Sequence, residues 1–164
     1  MDLSENRHSI HNQIYRWLAR RDHSILEVFE KCLQKGYPEN EIHSALEVFQ
    51  KKGFLDDKRF AELFVADKFN IYNWGPLKIH KELAQKGVKK QYINDALEKI
   101  IPESSLDKAL VSAVKKARRQ LMRTEAGLKR KKRLVDFLVR KGFPWHLVME
   151  NSDELLRVLE NEEF

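Results

Sequence analysis

The chain has 164 residues, 42% of them hydrophobic and 34% charged, with only six glycines and four prolines, which excludes wholesale disorder and a loop-rich all-β protein and suits one globular domain or a few small helical units. No apolar run approaches the ~20 residues of a membrane span, and the amino-terminal MDLSENRH is polar, unlike a secretory signal. The single Cys32 leaves no intrachain disulfide framework and fits a reducing cytoplasm.

Taken in order, the predicted elements are helices. His8–Arg21 places Ile10, Ile14, Trp17 and Leu18 on one face. Ser24, with Glu27 three residues on, forms a capping box that opens a helix whose Val28, Phe29, Cys32 and Leu33 are apolar up to Gly36. Pro38 opens a third helix, with Ile42, Ala45, Leu46 and Phe49 as its core face, stopped by Gly53. Asp56 is the expected N-cap of the next, on which Phe60, Leu63 and Phe64 share a face. Gly75 and Pro76 restart the chain in a helix carrying Ile79 and Leu83, and Gly87 ends it. A helix with Tyr92, Ile93, Ala96, Leu97 and Ile100 follows, up to Pro102. From about Ser105 to Thr124 a longer helix carries Leu106, Leu110, Val114 and Leu121; after a turn at Gly127, Lys129–Arg133 starts another with Leu134, Val135, Leu138 and Val139. Pro144 opens a last, irregular helix, and the acidic chain after Asp153 is open between a further helix and a frayed end.

These elements repeat. Gly36, Gly87 and Gly142 each follow a lysine and lie 51 and 55 residues apart. Four residues before them stand Cys32, Leu83 and Leu138, eight before stand Val28, Ile79 and Leu134, and six after stand Ile42, Ile93 and Val148. The same alignment pairs Ser24 with Gly75 and Ile25 with Pro76. The fold is therefore expected to be all-α, an elongated tandem array of three three-helix repeats over 1–55, 56–103 and 104–164, each too small to bury its faces alone.

Charge is unevenly spread. Lys115–Arg133 holds ten lysines and arginines against Glu125 alone, a local excess of +9 in a chain of net charge +6. Lys115, Arg119 and Arg123 follow at i, i+4 and i+8 and so share one helix face, which Arg118 borders, with Lys116 in the same three turns; Lys129, Arg130, Lys132 and Arg133 form a second cluster, and Lys78 and Lys81 extend the basic surface at expected exposed positions of the middle repeat. Such a surface neutralises phosphates and binds a polyanion with little sequence preference.

Other constellations favour structural roles. Asp56 and Asp57 are adjacent, so their carboxylates point about 100° apart on a helix, a poor acid–base pair but a good cap. Cys32 aligns with leucines and His80 with Phe29 and Val135, as core residues do. His8 and His11 stand at i, i+3 with no CxxC or HExxH motif beside them, and no clustered glycines form a phosphate loop. No cofactor, metal or catalytic residue is expected. Of the three tryptophans, Trp17 and Trp74 read as core or staple residues, and Trp145 is the one to test as an exposed contact.

Three stretches resemble one family. LDDKRFA at Leu55–Ala61, FV at Phe64–Val65, GPLKIHKEL at Gly75–Leu83 and KGV at Lys86–Val88 closely resemble the middle of the regulatory protein RecX family; LARRDHS at Leu18–Ser24 and KKRLVDFLVRKGF at Lys131–Phe143 resemble its flanking signatures in the same order. The resemblance implies a curved body of tandem three-helix repeats that binds RecA filaments on single-stranded DNA along their groove. It implies a monomeric, cytoplasmic, non-enzymatic inhibitor of filament growth, ATP hydrolysis, strand exchange and co-protease activity, with a place in DNA repair, recombination and the SOS response. The expected partners are the RecA recombinase filament and DNA, single-stranded and by the same chemistry double-stranded, with no membrane. One departure from the repeat is plain: Asn151 and Ser152 stand where Ala45 and Leu46 are apolar. The alternative reading is a stand-alone helical DNA-binding protein, against which the basic residues run along a stretch rather than flank one recognition helix.

Overall fold

The computed structural model describes residues 3–161, over which the chain is helical with no strand among the described residues. Ten α-helices follow one another: α1 (Leu3–Leu18), α2 (Ile25–Gln34), α3 (Glu39–Lys51), α4 (Asp57–Asn70), α5 (Pro76–Gln85), α6 (Lys90–Ile100), α7 (Leu106–Leu121), α8 (Leu128–Arg140), α9 (Trp145–Glu150) and α10 (Ser152–Glu160). The side chain of His8 and the acidic Glu162 and Glu163 lie outside the described residues.

Local chemistry sets the helix ends where the sequence places them. Ser24 Oγ accepts from the Glu27 amide while Glu27 Oε2 accepts from the Ser24 amide, each at 3.1 Å, so the capping box is complete. Asp56 Oδ1 accepts from the amides of Lys58 and Arg59 at 2.9 and 3.1 Å. Pro76 stands at the first position of α5. Gly36, Gly87 and Gly142 take φ of +83°, +75° and +94°, the left-handed stop that each lysine–glycine pair encodes.

Two cores result. Ile10, Ile14, Val28, Cys32, Ile42, Ala45, Leu46, Phe49 and Leu55 close the first, from α1–α3. The second is continuous through α4–α10, with Ile79, Leu83, Leu110, Val114, Leu134, Leu138, Phe143 and Leu159 fully enclosed. Burial of each such side chain contributes about 1.5–3 kcal/mol. Burial pushes the Cys32 thiol up to about 11, so it sits in the core as a small apolar group. The accessible surface is 10678 Å², against roughly 8,500 Å² for a compact monomer of this mass, as a row of units requires.

Some expected core positions face outward. Leu63 is 48% exposed because α4 is buried through Phe60, Ala61, Val65 and Phe69 instead, and Leu33 and Val139 are also exposed. At Asn151–Ser152 the irregular helix breaks: Asn151 Nδ2 donates to the Leu147 carbonyl and Ser152 Oγ to the Met149 carbonyl, at 2.9 and 2.8 Å. The chain then turns into α10, whose Leu155 and Leu159 pack on α7 and α8 and supply the apolar surface that Asn151 and Ser152 lack. The end of the chain up to Glu160 is thus a fourth helix of the third unit rather than a frayed tail.

Neighbouring units meet by one device used twice. The start of α2 seats on the glycine turn that ends α5, and the start of α5 seats on the glycine turn that ends α8. At the first junction Leu26 lies where a side chain on Gly87 would fall, 2.8 Å from the site of its Cβ. The Ile25 amide donates to Asp57 Oδ1 at 2.9 Å, so Asp57 caps a helix of the preceding unit rather than its own, and burial raises its carboxyl above the ordinary range. At the second junction the amides of Gly75 and Leu77 donate to the carbonyls of Lys141 and Gly142 at 2.7 and 3.0 Å. Free amides of one helix start are thereby matched to free carbonyls of another helix end.

Candidate nucleic-acid interface

Helix α7 and helix α8 lie side by side, and their solvent face carries most of the +9 segment. Ala109, Leu110, Ala113, Val114 and Leu121 turn α7 inward, which leaves Lys115, Lys116, Arg119 and Arg123 exposed on the other side. Arg119 and Arg123 make no ion pair or side-chain hydrogen bond among the described residues. On α8, Leu134 and Leu138 point inward and Lys132 and Arg140 outward. A groove between the two helices has two adjoining clefts that share Gln120 and Phe137. One, of about 540 Å³, is lined by Lys129, Lys132, Arg133 and Arg140; the other, of about 320 Å³, by Ile71, Tyr72, Lys116 and Lys141.

The remaining basic residues divide by what they hold. Arg118 is half-buried and donates through Nε to the Leu159 carbonyl at 2.9 Å, tying the end of α10 to α7. Arg130 is also half-buried: Nε and Nη2 donate to the Thr124 carbonyl at 3.1 and 2.9 Å, and Nη1 meets Glu160 at 2.7 Å. Both serve the fold of the third unit, against the purely external role the sequence pattern gives them. Arg133 donates to Thr124 Oγ1 at 2.7 Å while still lining the groove. Lys129 forms an exposed pair with Glu125 at 2.7 Å, of a kind that contributes little. Lys81 is exposed, but Lys78 is not: it lies half-buried at the second junction with Nζ 4.0 Å from the centre of the Trp74 ring. Trp74 itself is half-buried against Phe64, Trp17 is half-buried with Lys31 Nζ 5.1 Å from its ring, and Trp145 is 62% exposed.

Lys141, Tyr72, Gln120 and Arg140 were missed by sequence reasoning. Lys141 stands there only as the lysine before Gly142. Its Nζ donates to the Tyr72 carbonyl at 3.1 Å, beside Lys116 Nζ on the Ile71 carbonyl at 3.3 Å. Burial, then the charges of Lys78 and Lys116, hold its ammonium below the ordinary lysine range. The usable signal is in the repeat alignment, which sets Lys78 opposite Glu27.

Fold and surface together define a tandem helical-repeat protein with a basic groove between α7 and α8. Three family models match in order: the first three-helix domain of RecX over residues 11–47, the second over 56–97 and the third over 103–150. The chain is 31% identical over 135 residues to the regulatory protein RecX of Halorhodospira halophila, covering 82% of this chain and 81% of that one. It is 32% identical to that of Chlorobium phaeobacteroides, covering 87% and 90%. A crystal structure of RecX from Lactobacillus salivarius has the same fold, with a TM-score of 0.77 at 20% identity over 93% of this chain and 98% of that one. The chain belongs to the RecX family of regulatory proteins.

Proposed function

We propose that this protein regulates the RecA recombinase without catalysis of its own, binding the RecA–DNA filament along its groove in the cytoplasm and inhibiting recombinase, ATPase and co-protease activities. Family membership supports the RecA partner, and the observation that carries the physical reading is the exposed run of Lys115, Arg119 and Arg123 beside the α7–α8 groove. A row of units divided at 1–55, 56–103 and 104–164 has the length to follow a filament groove. Its basic face meets DNA phosphates or acidic protein surface, releasing counterions and reading no sequence. Lys129, Lys132 and Arg133 extend that face, with Lys78, Lys81 and Lys116 at its middle-unit end, and Arg118 and Arg130 brace it from behind. The test is the DNA-dependent ATPase of RecA with this protein titrated in. Inhibition that rises with occupancy supports the reading; an unchanged ATPase, with sequence-specific duplex binding instead, would establish the stand-alone DNA-binding alternative.

A further inference from the structure

The two junctions between units are built alike but charged oppositely. Three residues into α2 stands Glu27, whose carboxylate reaches Lys86 Nζ at 2.6 Å across the first junction. The equivalent residue of α5 is Lys78, which faces Lys141 across the second. Lys116 of α7 joins them, and none of the three ammonium groups has a carboxylate partner among the described residues. Their contacts are the ring faces of Trp74 and Phe137 and the carbonyls of Ile71 and Tyr72. An excess of positive charge is thus fixed where the sister junction holds an anion.

The turn that carries these carbonyls is held in place. Asn73 takes φ of +52°, is buried, and donates through Nδ2 to Ser112 Oγ of α7 at 3.0 Å. This fixes Ile71 and Tyr72 in the lining of the 320 Å³ cleft, which Phe137 also lines; Tyr72 is half in solvent, with Lys68 Nζ 4.1 Å from the centre of its ring. Aromatic surface beside cations that no carboxylate neutralises is the combination that single-stranded nucleic acid uses, with phosphate on the cations and a base on the ring.

We propose that the second junction is a nucleotide subsite for single-stranded DNA, in which Lys78, Lys116 and Lys141 take one or two backbone phosphates and Tyr72 stacks an unpaired base. The phosphate there does for units two and three what the Glu27 carboxylate does for units one and two, so strand binding also ties those units together. This rests on the reading above that the chain binds DNA, and it assigns the contact to a place apart from Arg119 and Arg123.

The test is binding of labelled oligo(dT), and of an abasic oligonucleotide of equal length, as a function of salt. Lys116→Gln with Lys141→Gln weakens both probes and flattens the logarithmic salt slope by about 0.7–1.4, for one or two phosphates at ~0.7 each. Tyr72→Ala weakens oligo(dT) by about tenfold and leaves the abasic probe unchanged. On the unmodified protein, oligo(dT) carrying 5-iodouracil crosslinks to Tyr72. Unchanged affinity in both variants, with weakening only in Arg119→Glu/Arg123→Glu, overturns the subsite and leaves the proposed function standing. Crosslinking solely to Trp145 overturns the stacking role. No binding of oligo(dT) by the unmodified protein overturns both.

Discussion

Glu27 and Lys86 join the first two units: their charged atoms lie 2.6 Å apart, and Arg21 adds a second cation to the same carboxylate at 3.3 Å. Burial opposes ionisation of Glu27, but Lys86, Arg21 and the Ser24 amide outweigh it and hold the carboxyl at about 2. The depressed value means that the folded state binds the proton less readily than the unfolded chain. The stabilisation is therefore present above pH ~4.5 and is lost as pH falls toward about 2. Glu27→Gln is expected to cost about 2 kcal/mol at neutral pH and much less at pH 2, measured by urea unfolding at both. An equal cost at the two pH values would show that the amide loses shape rather than charge.

The second junction gives the converse expectation. Lys78→Glu places a carboxylate beside Lys141 and Lys116, as Glu27 stands beside Lys86. It is expected to raise stability by about 0.5–1 kcal/mol at low salt, with the gain shrinking as salt screens the pair. Thermal melts at two ionic strengths measure it. A lower melting temperature at low salt would mean that contact of the Lys78 ammonium with Trp74 outweighs the repulsion.

Glycines at equivalent positions differ in what surrounds them. Gly36 has φ of +83° and open space where a Cβ would stand, so Gly36→Ala carries only backbone strain, about 1 kcal/mol. On Gly142 a Cβ would lie 2.5 Å from the Lys78 backbone nitrogen, and neither backbone can yield without breaking the amide–carbonyl bonds between units. Gly142→Ala is expected to cost about 3 kcal/mol or more. Gly87→Val, strained and pressed on Leu26, should also cost more than 1 kcal/mol. Equal midpoints for the Gly36 and Gly142 variants in denaturant would show that the junction opens freely.

Neighbouring arginines should separate stability from binding. Arg119→Glu with Arg123→Glu is expected to keep the melting temperature, since exposed substitutions usually stay within about 0.5 kcal/mol, and to weaken DNA binding and RecA inhibition together. The same pair changed to Ala should weaken them less. Arg118→Ala and Arg130→Ala should each cost about 1–3 kcal/mol, because half-buried carbonyls of Leu159 and Thr124 lose charged donors. Loss of binding with intact inhibition in the glutamate pair would move the regulatory contact to another surface.

Helix ends and repeats were legible because they depend on neighbours in sequence: Ser24 with Glu27, Asp56 with the next amides, each glycine with the lysine before it. Side-chain direction near the surface was less so. Leu63 fits the apolar period of α4, yet Phe60, Ala61, Val65 and Phe69 decide which face is inside. Arg118 and Arg130 look free on a helical wheel because their acceptors, at Leu159, Thr124 and Glu160, lie up to 41 residues away. Asp57 caps α2 across 32 residues for the same reason. Local spacing reveals which residues share a helix face, while the carbonyl or carboxylate waiting opposite belongs to the assembled units.

The seating of each helix start on the following unit's glycine turn gives the body a direction. Every such joint has two unlike halves, and among the described residues one half of each kind is left unmatched. At one end the Gly36 turn is uncovered, and at the other the start of α8 is bare, with Leu128 86% exposed. The molecule has a head and a tail, as a nucleic-acid strand does. Two directional objects laid side by side have a parallel and an antiparallel arrangement that differ in energy. On the function proposed above, such a body would select not only where along a strand it rests but which way it faces.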